Sequence, residues 1–77
     1  MIKYTLNKKT INIEEFNNAE VFGITVYKND KIVFNVEDIS PDKKFVETLI
    51  HKLIKYDVSI YHIIDVIEDE LFTYVED

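Results

Sequence analysis

Residues 21–38 read VFGITVYKNDKIVFNVED, two runs of β-branched and aromatic residues on either side of Asn29-Asp30. Apolar alternation marks a strand. Asn and Asp both tolerate the positive φ that a two-residue type I′ turn requires at its central positions. The stretch therefore predicts a β-hairpin. A register centred on the turn pairs Lys28 with Lys31, Tyr27 with Ile32, Val26 with Val33 and Thr25 with Phe34. Thr25, Tyr27, Ile32, Phe34 and Val36 then share one face, while Phe22, Ile24, Val26 and Val33 share the other. Both faces are apolar near the middle, whereas an antiparallel sheet usually keeps one face wet. A cover is expected over the second face: the N-terminal segment, a helix, or another copy of the chain. Gly23, alone inside its strand, is expected to relieve crowding under an aromatic neighbour or to mark a bulge.

Upstream, Ile2, Tyr4 and Leu6 alternate with Lys3 and Thr5, and Ile11 and Ile13 resume the pattern after the polar NKKT of residues 7–10. One or two further strands are expected there. Downstream the period changes to that of a helix. Ser40 is a candidate N-cap, Pro41 suits the first helical position, and Asp42 lies near the positive end of the dipole. Phe45, Val46, Leu49, Ile50, Leu53 and Tyr56 make one apolar stripe, with Lys44, Glu47, Thr48, His51 and Lys55 opposite. Ser59 can cap a second helix, on which Ile60, Ile63, Ile64, Ile67, Leu71 and Tyr74 gather on one side. The predicted class is α+β. An antiparallel β-meander of three to four strands, over about residues 1–38, precedes an αα-hairpin packed on the sheet, with helices over about 41–56 and 60–75. Residues 1–77 form one domain.

Seventy-seven residues allow a compact core but not a large enclosed substrate cavity. Apolar residues are 47% of the chain, with five Phe and five Tyr, which favours a folded domain over disorder. Cysteine is absent, so disulfides and thiolate zinc sites are excluded. The N-terminus lacks the apolar run of a signal peptide, and no segment has the roughly 18 apolar residues of a membrane span. A cytoplasmic protein without membrane contact is expected. All nine cations are Lys, so the bidentate guanidinium clamp for phosphate or carboxylate is missing. Residues 1–36 carry five Lys against four acids, a net of +1, and residues 37–77 four Lys against eleven acids, a net of −7. Such a chain repels DNA and anionic membranes.

The stretch SIYHIIDVIEDEL, residues 59–71, brings His62, Asp65 and Asp69 onto one helical face. That spacing suits part of an oxygen-and-nitrogen metal site. The face lies opposite the apolar stripe, however, and no further ligands are evident, so a solvated surface is expected rather than a metal. Ser40 and Ser59 stand where caps are wanted, and no Gly-rich phosphate loop exists. No catalytic residue, metal or cofactor is therefore expected. A DNA-reading helix-turn-helix is rejected as well, because the second helix carries Asp65, Glu68, Asp69 and Glu70 and no Lys or Arg.

Taken together, ISPDKKFVETLIHKLIKYDVSIYHIIDVIEDEL resembles a small uncharacterised family of Firmicutes, the domain of unknown function 6514. Its members show strands, an "IS-x-D" helix start, and a second helix reading "S-x-x-HL-x-DVIED-x-L". The matching positions are Ile39, Ser40 and Asp42, then Ser59, His62, Ile63, Asp65, Val66, Ile67, Glu68, Asp69 and Leu71. The isolated Gly23 fits too, and Ile60 departs from a Pro. The resemblance covers about the last two-thirds of the chain and implies no activity. It does imply that the His62–Asp65–Asp69 face is a place to look for a binding surface.

The leading expectation is a non-enzymatic protein-interaction or regulatory module with a protein partner, a second copy being one form of it. Phe22, Ile24, Val26 and Val33 would make the contact through the spare sheet face, with His62, Asp65, Glu68, Asp69 and Glu70 as a second surface. The alternative is an acidic inhibitor of the phage anti-defence type, occupying a nucleic-acid-binding site on its target without binding nucleic acid itself.

Overall fold

A computed structural model describes residues 1–14 and 17–76, with side chains described for 1–12 and 18–72. The Asn29-Asp30 turn forms as the residue types require, with φ of 53° and 68°. Lys28 faces Lys31 and Tyr27 faces Ile32. The turn joins β2 (Asn17–Lys28) to β3 (Lys31–Ser40), and β1 (Ile2–Glu14) pairs antiparallel with the other side of β2. The result is a three-stranded meander of order β1-β2-β3. The polar residues 7–10 do not interrupt β1; they lie opposite Gly23 to Glu20 in an unbroken register. Their charges stay hydrated and paired, Lys8 Nζ 3.4 Å from Glu20 and Lys9 Nζ 3.7 Å from Glu37. Lysines on an edge strand also discourage uncontrolled pairing with other strands.

Beyond Tyr27 the register departs from the regular hairpin. Val26 faces Phe34, Thr25 faces Asn35 and Ile24 faces Val36. A slip of one residue exchanges the faces of a strand. It moves Phe34 and Val36 off the Thr25 side and places them beside Ile24 and Val26. The two apolar faces expected of the hairpin are thus corrected to one. Tyr4, Leu6, Phe22, Ile24, Val26, Phe34 and Val36 form it. Across the other face Asn7 Nδ2 donates to Thr25 Oγ1 (3.2 Å) and Asn35 Oδ1 (3.1 Å), and Thr25 Oγ1 donates to Asn35 Oδ1 (2.8 Å). These bonds tie all three strands together.

A wider irregularity follows. Phe22 faces Ser40 although Ile24 faces Val36, so residues 37–39 stand against Gly23 alone, and Asp38 takes φ 64°. Gly23 marks this bulge, as one of its two expected roles. A Cβ there would fall 2.1 Å from the Val36 carbonyl oxygen, 2.7 Å from Asn7 Oδ1 and 2.9 Å from Glu37 Cα. Its neighbours are backbone and an amide, not an aromatic ring.

The first helix, α1, spans Lys43–Lys55. Its N-cap is Asp42, whose carboxylate accepts from the backbone N–H of Lys44 (3.0 Å) and Phe45 (3.3 Å). The expected cap, Ser40, is still the last residue of β3 and is buried opposite Phe22. Held there, its hydroxyl accepts the Asp42 N–H (3.0 Å) and shapes the turn before the helix. Val46, Leu49 and Leu53 are buried as the stripe requires, but Tyr56 is the C-cap and is exposed. The second helix, α2, spans Ile63–Glu76, three residues later than the Ser59 cap implies. Residues 59–62 make a turn instead, in which Ser59 O accepts the His62 N–H (2.8 Å). The His62 carbonyl then accepts from Val66 N–H (3.0 Å) and opens the helix.

Both helices pack on the apolar sheet face, which gives the α+β class. The core is Phe22, Ile24, Val26, Ile39, Val46, Leu49, Leu53, Ile63 and Ile67. Full burial of each aliphatic side chain contributes about 1.5–3 kcal/mol. The side chains of Ile13 and Tyr74, both given to apolar patterns from the sequence, lie outside the described ones. Among the described residues no helix is long and apolar enough to cross a membrane.

Candidate functional site

The residues singled out from the sequence do not form one surface. Phe22, Ile24 and Val26 lie in the core beneath α1, so the spare sheet face they were expected to present does not exist. The register slip is the cause: it concentrates the apolar residues on one side, and the helices cover that side. Val33, at the slip, is 39% exposed. The other five residues belong to α2 and the turn before it. The isoleucine side of α2 faces inward, with Ile63 and Ile67 buried, and leaves His62, Asp65, Glu68 and Asp69 exposed. His62 Nδ1 is 3.7 Å from Asp65 Oδ2, with both side chains about two-thirds exposed or more (68% and 72%). Glu70 is half-buried and accepts from Lys52 Nζ at 2.5 Å, which clamps α2 to α1.

Neither serine is paired for nucleophilic attack. Ser40 Oγ accepts the Asp42 N–H, and Ser59 Oγ accepts the Tyr61 N–H at 3.3 Å. Among the described residues no three His, Asp or Glu side chains gather as metal ligands. His51 lines a shallow hollow of about 270 Å³ on the outer side of α1 with Lys44, Glu47 and Thr48.

A larger groove, about 480 Å³, opens where the start of β1 meets the end of α1. Met1, Ile2, Tyr4, Leu53, Ile54, Asp57 and Val58 line it. Its shape follows from how α1 stops. Tyr56 is the C-cap, Asp57 turns left-handed with φ 49°, and Val58 returns to the helix. The Val58 N–H donates to Leu53 O (3.3 Å) and the Asp57 N–H to Ile54 O (3.2 Å). That pair of bonds is the Schellman motif, which brings the Val58 side chain back over Leu53. Ile54 stays outside, 60% exposed, and Tyr56 and Tyr61 in the same connection are exposed too. Burial, and secondarily the Asp57 charge, pushes the Tyr4 phenol above its ordinary pKa. Tyr4, Ile54, Asp57 and Val58 were not singled out from the sequence. One signal was present: an acid, rather than Gly or Asn, follows the last turn of a helix.

No curated protein and no solved structure matches the chain. A family model matches residues 1–72, further toward the N-terminus than the resemblance read from the helical half. The residues that carried the resemblance divide between core and surface, Ile39, Ile63 and Ile67 inward and Asp42, His62, Asp65, Glu68 and Asp69 outward. The chain belongs to the family of unknown function DUF6514.

Proposed function

We propose that this chain is a non-enzymatic, cytoplasmic protein-interaction module that docks a protein partner at the end where the α1–α2 connection meets β1. The carrying observation is the concentration of exposed apolar side chains there. Ile54, in the last turn of α1, lines the open apolar groove, and Tyr56 and Tyr61 (87% exposed) follow in the short connection after it. Exposed large apolar groups grouped in this way mark contact sites. The net charge of −6 argues against nucleic acid as the direct ligand. The test is affinity capture from native lysate with the native chain and an Ile54→Glu variant in parallel. A partner retained by the first and lost by the second supports the reading; identical captures refute it. Light scattering across the micromolar range shows whether that partner is a second copy.

The inhibitor reading has one observation in its favour. From Tyr56 to the chain end no Lys or Arg occurs, and Asp65, Glu68 and Asp69 are exposed on α2. If this face mimics a nucleic acid, converting those three to Asn, Gln and Asn removes target binding while Ile54→Glu does not. Ordinary solubilising charge predicts the reverse.

A further inference from the structure

Asp57 breaks a local rule of charge. Asp accepts its left-handed φ as it does at residues 30 and 38, though Gly or Asn is commoner after a helix. The C-terminal end of a helix carries partial negative charge, which favours cations and opposes a carboxylate. Asp57 nevertheless holds this position, φ 49°, and lines the same groove as the partly buried Tyr4, whose phenol its charge reaches. Among the described residues nothing offsets its charge within ion-pair distance. The two lysines of the last α1 turn are committed elsewhere, Lys52 to Glu70 and Lys55 above the Tyr56 ring at 5.5 Å. Neither Tyr4 nor Asp57 has a side-chain hydrogen bond to another described residue. A residue that breaks local rules with no structural compensation is where function is to be sought.

The surroundings specify what would sit there. Ile2, Leu53, Ile54 and Val58 give the groove apolar walls. The same lining includes the Asp57 carboxylate and the Tyr4 side chain, which feels the Asp57 charge, at the C-terminal and so negative end of α1. All three favour a positive charge, and the walls favour an aliphatic stem. The volume of about 480 Å³ holds a side chain and its neighbours.

We propose that this groove receives a lysine side chain of a partner protein, its ammonium against Asp57 and Tyr4 and its flanking residues against Ile54 and Val58. The proposal rests on the interaction-module reading and names the partner's chemistry. It gives the uncompensated carboxylate a purpose: charge complementarity withheld within the chain is supplied by the partner. A lysine stem matches the groove better than a bare cation, because the methylenes bury against aliphatic walls while the head stays at the polar spot.

The test uses the full ¹⁵N-labelled chain and three blocked peptides, acetyl-Ile-Lys-Ile-amide, its norleucine analogue and its glutamate analogue, with n-butylammonium chloride as a fourth probe. The lysine peptide is expected to shift the amide signals of Tyr4, Ile54, Asp57 and Val58 and to bind about tenfold more tightly than the norleucine peptide. The glutamate peptide leaves these signals in place. In Asp57→Asn the lysine advantage disappears, while Tm rises by about 4 °C because a poor C-terminal residue is replaced by a good one. Equal affinity for lysine and norleucine peptides, or an unchanged lysine advantage in Asp57→Asn, overturns the proposal. A lower Tm for that variant does so as well, since the carboxylate would then serve the fold. Butylammonium binding as tightly as the lysine peptide assigns the groove to free amines and overturns the protein partner. The Ile54→Glu capture tests the module independently of all four probes.

Discussion

Gly23→Ala is expected to destabilise the fold by about 3 kcal/mol or more. The added methyl carbon would lie 2.1 Å from the Val36 carbonyl oxygen, 2.9 Å from Glu37 Cα and 2.7 Å from Asn7 Oδ1. A carbon and a carbonyl oxygen approach comfortably only to about 3.3 Å. β3 must therefore move by roughly 1 Å at its bulge. The movement strains a site held from both sides and loosens the Asn7 bonds to Val36 O (3.4 Å) and Asn35 (3.1 Å), each worth about 1 kcal/mol. Overpacking alone costs about 1–3 kcal/mol. A domain of this size has only some 4–12 kcal/mol in total. At about 4–8 °C per kcal/mol, a loss of 3 kcal/mol lowers Tm by about 12–24 °C. Thermal and urea unfolding followed by far-ultraviolet circular dichroism read it directly. The sign is diagnostic, because Gly→Ala at an unhindered position stabilises by about 0.4–1 kcal/mol through the unfolded chain. Asn7→Ala in the same chain should not rescue the variant, since the two backbone neighbours remain. A Tm within about 4 °C of the native chain would refute the close approach of β3 to β2.

Asp42→Ala should cost about 1 kcal/mol by urea unfolding, because two first-turn N–H groups of α1 lose their acceptor. Leu53→Ala, at a fully buried position, should cost about 2–5 kcal/mol in the same assay. His62→Ala should change stability by less than about 0.5 kcal/mol, since its ion pair with Asp65 is largely exposed. Tyr4 gives a pH dependence. Its folded pKa is raised above the 10.0 of the unfolded chain, first by burial and then by Asp57. Between the two values the folded state holds the proton more tightly, so stability is intact below pH 10 and falls as pH rises beyond it. Absorbance at 295 nm should show the raised Tyr4 ionisation as a component lost in Tyr4→Phe and shifted downward in Asp57→Asn.

Much of this was legible in one dimension. Asn29-Asp30 announces its turn because few residues accept two consecutive positive φ angles. The 3.6-residue period of Val46, Leu49 and Leu53 announces a helix and its inward side, and that of Ile63 and Ile67 does the same. From the second pattern it follows that His62, Asp65, Glu68 and Asp69 stand in water, as they do. These readings succeed because local backbone geometry and side-chain period decide them.

What the tertiary structure alone decided are the departures from regularity. Nothing local tells Val33 to bulge; the slip is favourable because it puts Phe34 and Val36 under helices that come later in the chain. Ser40 looked like a cap until its pairing with Phe22, 18 positions earlier, kept it in the sheet and passed the role to Asp42. Phe22, Ile24 and Val26 looked like a spare contact surface for the same reason, since a strand's pattern shows apolar faces without showing what covers them. The groove unites Tyr4 with Asp57, residues with no sequence relation, because α1 crosses the sheet and ends above β1. Periodicity is a property of neighbours along the chain, while register, covering and enclosure belong to neighbours in space.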